Sequence, residues 1–250
     1  MTFSVTISHA ARLTLLLLGW TWAAWAAPPV IALDVGHDLV DGGAISARNQ
    51  PEFPFNRVLA GKLAAALQAR QLAVREINFD GDVMDLAARP ALAAGSDLFI
   101  SIHHDAIGEE HLLPWTWDGR PASHTEAKRG FGLFVSSENP DPATSLQCAS
   151  RLGQALRRAG FTATDWHGRK HRAADAENGV WFYDTLLVLR RTTLPAVLLE
   201  AGVIKHREEE LELLDPARQE RMAATLASGI AECLPAGQTS VRPGLRPGQD

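Results

Sequence analysis

Apolar positions along this chain fall into two kinds of run, and the two kinds alternate. Short runs rich in β-branched and large apolar residues read as strands buried on both faces, because a strand with one wet face shows a polar residue at every second position. "VIALDVGH" at 30–37 is the first, closed by a glycine turn, and "LAVREI" at 72–77 follows it. "DLFISI" at 97–102, "GFGLFVS" at 130–136 and "LPAVLLEAG" at 194–202 continue the series. Between them the apolar residues recur at helical spacing. Phe55, Leu59, Leu63 and Leu67 follow a start near Asn49 or Pro51, which predicts a helix of roughly five turns. A short helix over "DLAARPALAAG" is interrupted by Pro90, and a longer one over "SLQCASRLGQALRRAG" ends on Gly160. A last helix starts at Asp215 and Pro216 and continues through Met222, Leu226 and Ile230. The alternation predicts an α/β fold: one domain, with a mostly parallel twisted sheet and helices on both faces.

The ends of the chain lack this pattern. Residues 1–26 place Arg12 before an uninterrupted apolar stretch and offer small residues around Ala24 and Ala26, the form of a signal peptide. Trp20, Trp22 and Trp25 leave an uncleaved anchor as the alternative. Either way the domain, placed at 28–234, leaves the cytoplasm and is expected to be periplasmic or secreted, with no stable membrane insertion once the leader is cleaved. Residues 235–250, rich in Pro, Gly and polar groups, read as a disordered tail. Composition adds two constraints. Removing the leader takes away only Arg12 among charged groups, so the formal charge moves from −5 to −6, and such a protein is poorly suited to binding nucleic acid through its phosphates. Cys148 and Cys233 meet an oxidising compartment after export, as a bridge or as two inert thiols.

Ligands in open α/β sheets bind beyond the carboxyl ends of the strands, and three such ends carry chemistry here. His37 follows "IALDVG", His103 follows "LFISI", and Glu200 closes "PAVLLE", while Glu52 opens the long helix after the first strand. Two imidazoles and a carboxylate are a catalytic zinc set that leaves one position for water, and a second carboxylate supplies a base. Alone, each residue has a plainer use: a terminal histidine can be hydrogen-bonded in a loop, and Glu52 can simply favour a helix amino-terminus.

Four segments taken in order, "DVGHDLVDGGA", "EFPFNRVLAGKLAAAL", "DLFISIHHDA" and "LPAVLLEAGVIKHREEELELL", resemble the zinc-dependent N-acetylmuramoyl-L-alanine amidases of bacterial cell-wall remodelling, the amidase_3 family. The resemblance covers roughly residues 30–234. It implies Zn2+ bound by His37, Glu52 and His103, with Glu200 as the catalytic carboxylate, and hydrolysis of the amide between N-acetylmuramic acid and L-alanine of the peptidoglycan stem peptide. The chain departs from the family pattern at His104 and Asp105, where a small residue and Asn are usual, and at "DLVDGG" after His37. His104 is expected to project to the opposite side of the strand from His103.

Two polar connections stay outside the catalytic set. The long segment from Ile107 to Gly130 carries Trp115 and Trp117, which either pack onto the body or stack against sugars. The segment at 165–179 carries His167, Arg169, Lys170 and His171 and reads as a solvated loop, with contact to an anionic stem peptide as the alternative. The alternatives to a muropeptide amidase are a metallopeptidase or other amidohydrolase with the same site, and a non-catalytic wall-binding protein. A protein activator is left open, and with no separate wall-binding repeat visible, targeting is expected to come from the domain itself or from a partner.

Overall fold

Apolar runs with no polar face have to lie side by side beneath helices, and the computed structural model, which describes residues 27–234, arranges them so. The leader expected over 1–26 and the tail expected over 235–250 lie outside the described residues. In chain order the strands are β1 (Val30–Val35), β2 (Ala73–Ile77), β3 (Leu98–Asp105), β4 (Leu113–Trp117), β5 (Arg120–His124), β6 (Gly132–Val135), β7 (Arg172–Asp175), β8 (Val180–Phe182) and β9 (Ala196–Val203). The helices are α1 (Glu52–Gln68), α2 (Ala88–Leu92), α3 (Pro142–Arg158), α4 (Leu187–Arg191), α5 (Arg207–Leu214) and α6 (Pro216–Cys233). Seven strands form one sheet in the order β2-β1-β3-β9-β6-β8-β7, and β4 with β5 makes a separate hairpin. Within the seven-stranded sheet, pairing is parallel except for β6 with β9 and β7 with β8.

Alternation along the strands divides the core between the two faces. Ile31, Leu33, Val35, Leu98, Ile100, Ile102, Val197 and Leu199 pack with Leu59 and Leu63 of α1, Leu152 of α3, and Met222 and Leu226 of α6. Ala32, Phe99, Phe134 and Leu198 point the other way, towards Val188 and Leu189 of α4. Each such fully buried leucine contributes about 1.5–3 kcal/mol by leaving water. Because β1, β3 and β9 are parallel, their carboxyl ends share one edge, and the long helix returns to that edge with its first residue.

The expected sheet and its two helical layers are present, with informative differences of detail. β3 runs on to Asp105 instead of stopping at Ile102, so His103 and His104 belong to the strand. Pro90 lies in the first turn of α2, where its missing N–H costs nothing, and so it interrupts no helix. α3 starts earlier than its apolar pattern, at Pro142, because Asp141 caps it by accepting from the Thr144 N–H. Asp215 caps α6 in the same way, accepting from Ala217 and Arg218. The segment at 165–179 is not a solvated loop: it supplies the edge strand β7 and buries His167.

Cys148 of α3 and Cys233 of α6 are joined in a disulfide that closes a sequence separation of 85 residues. The bridge ties together two helices that cover the same face of the sheet. A cross-link over so long a loop removes much of the unfolded chain's freedom, typically about 2–4 kcal/mol. The Cys148→Ala/Cys233→Ala double variant is expected to lose about that much in urea unfolding, and an unchanged midpoint would show that the bridge adds no stability.

Candidate active site

Backbone geometry delivers the first histidine. β1 ends at Gly36 and His37, and His37 has φ 63°, a left-handed conformation that a residue with a side chain holds only when its surroundings impose it. Arg89 Nη2 donates to the His37 carbonyl at 2.7 Å, and Arg89 Nη1 donates to the Val35 carbonyl at 2.8 Å. Asn78 Nδ2 donates to the same two carbonyls. Arg89 is 2% exposed, and Asp34 Oδ1 lies 3.6 Å from its Nη1. Asp34 in turn accepts from Ser101 Oγ at 2.7 Å; burial raises its pKa, against the pull of Arg89 and Ser101.

Two glycines clear space for the imidazoles. A Cβ on Gly36 would lie 2.2 Å from the His103 ring. At Gly43, whose φ is 76°, a Cβ would lie 2.5 Å from the His37 ring and 2.7 Å from Glu52 Oε2.

Glu52 sits between the two histidines. It is the first residue of α1 and only 3% exposed. Its Oε2 is 3.1 Å from His37 Nε2, and its Oε1 is 3.1 Å from His103 Nδ1. Backbone N–H groups add to the hold, Ala44 donating to Oε2 at 3.2 Å and His104 donating to Oε1 at 3.1 Å. Burial alone would raise the Glu52 pKa, but hydrogen bonds and charge from His103 and His37 outweigh it and keep the carboxyl well below its usual range. Burial works against a charged His37 too, and there Glu52 again prevails and raises the pKa. The donor atoms of His37, Glu52 and His103 all lie within 4.8 Å of one another. Two imidazole nitrogens and a carboxylate oxygen converging in this way match the donors that zinc takes in catalytic sites.

Glu200 stands on β9 directly opposite His103 on β3 and Gly132 on β6. Its Oε2 is buried without a hydrogen-bond partner among the described residues. Burial, reinforced by the negative charges of Asp105 and Glu52, pushes its pKa well above the usual carboxylate range. Beside it, His167 Nε2 lies 3.0 Å from Asp105 Oδ2, close enough for an ion pair though not aligned as a hydrogen bond. The His167 ring fits against Gly132, where a Cβ would come within 2.8 Å of it, and packs edge-on against Phe134.

A family model described as N-acetylmuramoyl-L-alanine amidase (Amidase_3) matches residues 31–232. The chain belongs to this family. It is 27% identical over 208 residues to the endolysin of Bacillus phage SPP1, covering 82% of this chain and 66% of the endolysin. With the amidase AmiA of Salmonella typhimurium it shares 23% identity over 233 residues, covering 80% of this chain and 74% of AmiA. The solved catalytic domain of CwlV, an N-acetylmuramoyl-L-alanine amidase from Bacillus (Paenibacillus) polymyxa, superposes with a TM-score of 0.63 at 27% identity, covering 82% of this chain and 97% of that domain.

In this family member His37 and His103 from the strand ends converge with Glu52 from the start of α1, Glu200 stands in register with His103, and His104 turns to the opposite face, as alternation requires. There it is 3% exposed, its Nδ1 is 2.8 Å from Asn56 Oδ1, and its ring lies beside Phe55. Burial lowers its pKa to about 3, so the ring is neutral. The tryptophan hairpin packs onto the loop that leads into α1. Trp115 Nε1 donates to the Ala47 carbonyl at 3.0 Å, Trp115 and Trp117 stack, and the Arg48 guanidinium lies 4.7 Å from the Trp117 ring. Sequence reasoning missed Asn56, Asn78 and Arg89. An Asn one turn after Glu52 was the one legible hint, since residues four apart share a helix face.

Gly36→Ala is expected to push the His103 ring away from Glu52 and, if the three candidate donors hold zinc, to weaken that binding on the order of tenfold or more, in keeping with disturbed ligand geometry. Circular dichroism and chelator competition together check this. A folded variant with wild-type zinc affinity would remove His103 from the metal site.

Proposed function

We propose that the protein is a zinc-dependent hydrolase of peptidoglycan that cleaves the amide between N-acetylmuramic acid and L-alanine of the stem peptide. The observation that carries this reading is the convergence of His37, Glu52 and His103 beside a second, differently tuned carboxylate, Glu200, in a member of the amidase family. His37 Nε2, His103 Nδ1 and one oxygen of Glu52 would hold the metal. When bound, zinc supplies Lewis acidity, which polarises a carbonyl and brings the pKa of water to about 7.

The protein's own groups supply the proton transfers. Glu200 takes a proton from the attacking water and later gives one to the nitrogen of the departing L-alanine. A carboxyl whose pKa is raised by burial and by Asp105 is suited to both halves of that cycle, because it neither releases its proton too readily nor fails to accept one. The sheet keeps Glu200 in register with His103, so acceptor and metal site hold a fixed separation through the reaction. The leader at 1–26 supports export, to the periplasm or outside the cell, where peptidoglycan lies. Among the described residues no helix is long and apolar enough to cross a membrane.

Digestion of purified muropeptides with mass spectrometry of the products tests the reading. Free stem peptides beginning at L-alanine are expected; cleavage within the stem peptide would make the protein a metallopeptidase, and intact substrate would make it a binding protein. Two variants separate the roles of the carboxylates. Glu200→Gln is expected to keep zinc and the fold but to lose on the order of a hundredfold or more in turnover, the usual scale of acid–base assistance. Glu52→Gln is expected to shed zinc, measured by elemental analysis. If Glu200→Gln sheds the metal and Glu52→Gln holds it, the roles are reversed.

A further inference from the structure

We propose that His104, acting through Asn56, is a positioning residue that locks the Glu52 carboxylate in the orientation in which it meets the metal; this rests on the zinc reading above. Asn56 is fully buried, one helical turn after Glu52 on α1. Its Nδ2 lies 2.9 Å from Glu52 Oε1 and 3.1 Å from the Gly36 carbonyl. Both of those partners can only accept, so the amide must turn its NH2 towards them. Its Oδ1 is then left facing His104 Nδ1 at 2.8 Å. An amide oxygen carries no proton, so the hydrogen in that contact belongs to His104, and the ring is held as the Nδ1–H tautomer.

The direction of every bond in the chain is thereby set: His104 donates to Asn56, and Asn56 donates to Glu52. His104 also donates its backbone N–H to the same Glu52 oxygen at 3.1 Å. Glu52 Oε1 thus receives two donors that both trace to one residue of β3, while Ala44 holds Oε2. The carboxylate cannot swing about its side-chain bonds without breaking at least one of these contacts and stranding a buried polar group. Without the His104 N–H, Asn56 Oδ1 is left a buried acceptor with no donor, and the amide that holds the carboxylate loses its anchor on the far side. Outer partners that orient a ligand in this way typically govern metal affinity by 10–100-fold.

The test measures zinc affinity of the full domain by competition with a chromophoric chelator, alongside urea unfolding of the metal-free protein. The wild type is titrated first: if it takes up no zinc, the metal reading fails and this inference with it. With zinc bound, His104→Phe keeps a ring in the pocket but removes the N–H, and is expected to weaken zinc by 10–100-fold. Asn56→Leu is expected to do the same, and the His104→Phe/Asn56→Leu double variant to bind no more weakly than the worse single, because both break one chain. His104→Gln, whose amide retains an N–H for Asn56, is expected to recover most of the affinity. Should His104→Phe not fold, Asn56→Leu and His104→Gln carry the same comparison. Wild-type zinc affinity in folded His104→Phe or Asn56→Leu, losses that multiply in the double variant, or a folded His104→Gln as weak as the Phe variant would each overturn the proposal while leaving the zinc site standing.

Discussion

A carboxylate taken out of water has to be surrounded by donors or positive charge, or it protonates. Glu52, only 3% exposed at the start of α1, satisfies that demand with two imidazoles, two backbone N–H groups and a buried amide. Much of the surrounding structure follows from meeting it. The Ala44 donor requires the loop after His37 to fold back over α1, and the left-handed glycine at Gly43 lets it do so without striking His37. The His104 donor requires β3 to continue past its apolar run. The position of Glu52 at a helix amino-terminus adds the favourable end of the helix dipole.

The sheet places these groups with little freedom. β1 and β3 are parallel neighbours, and the Gly36 N–H donates to the Ile102 carbonyl at 3.0 Å, so the residues that follow, His37 and His103, emerge side by side. β9 then sets Glu200 against His103. Left-handed His37 is the one departure from regular backbone among the four, and a buried Arg89 and Asn78 hold it there. Arg89, on α2, is in turn faced by Asp34 of β1. A buried ion pair of this kind is a weak source of stability, and its position beneath His37 and the candidate metal donors accounts for its presence better than stability does.

The fold and three of the four proposed site residues were legible because apolar runs stop where polar residues begin: "VIALDV" ends in Gly and His, "LFISI" in His, and "PAVLL" in Glu, while Glu52 was marked only by its place at the start of a helix. Periodicity sees a change from apolar to polar and marks it. It does not see a polar residue that is itself buried, and that is why Asn56, Asn78 and Arg89 escaped; in the sequence they look like ordinary surface positions of a helix, a loop and a short helix. The β4–β5 hairpin and the edge strand β7 escaped for another reason. Their residues are half-exposed and rich in Pro, Arg and Trp, and edge or hairpin strands need too little burial to leave an apolar signature.

Two carboxylates a strand apart have been driven in opposite directions, and the cause lies in what each is offered. Glu52 receives hydrogen bonds on both oxygens and faces two histidines, so it stays charged and fit to hold a cation. Glu200 Oε2 has no hydrogen-bond partner among the described residues and Glu200 faces the negative charges of Asp105 and Glu52, so its proton is held more tightly. Pairs of titratable groups pushed apart by their environments mark a division between holding charge and moving protons. Exchanging the two surroundings would exchange the two roles, even with the same side chains. The proposed assignment of Glu52 as ligand and Glu200 as proton carrier is supported by the hydrogen-bond donors that β3 and α1 give to one residue and that Oε2 of the other lacks among the described residues.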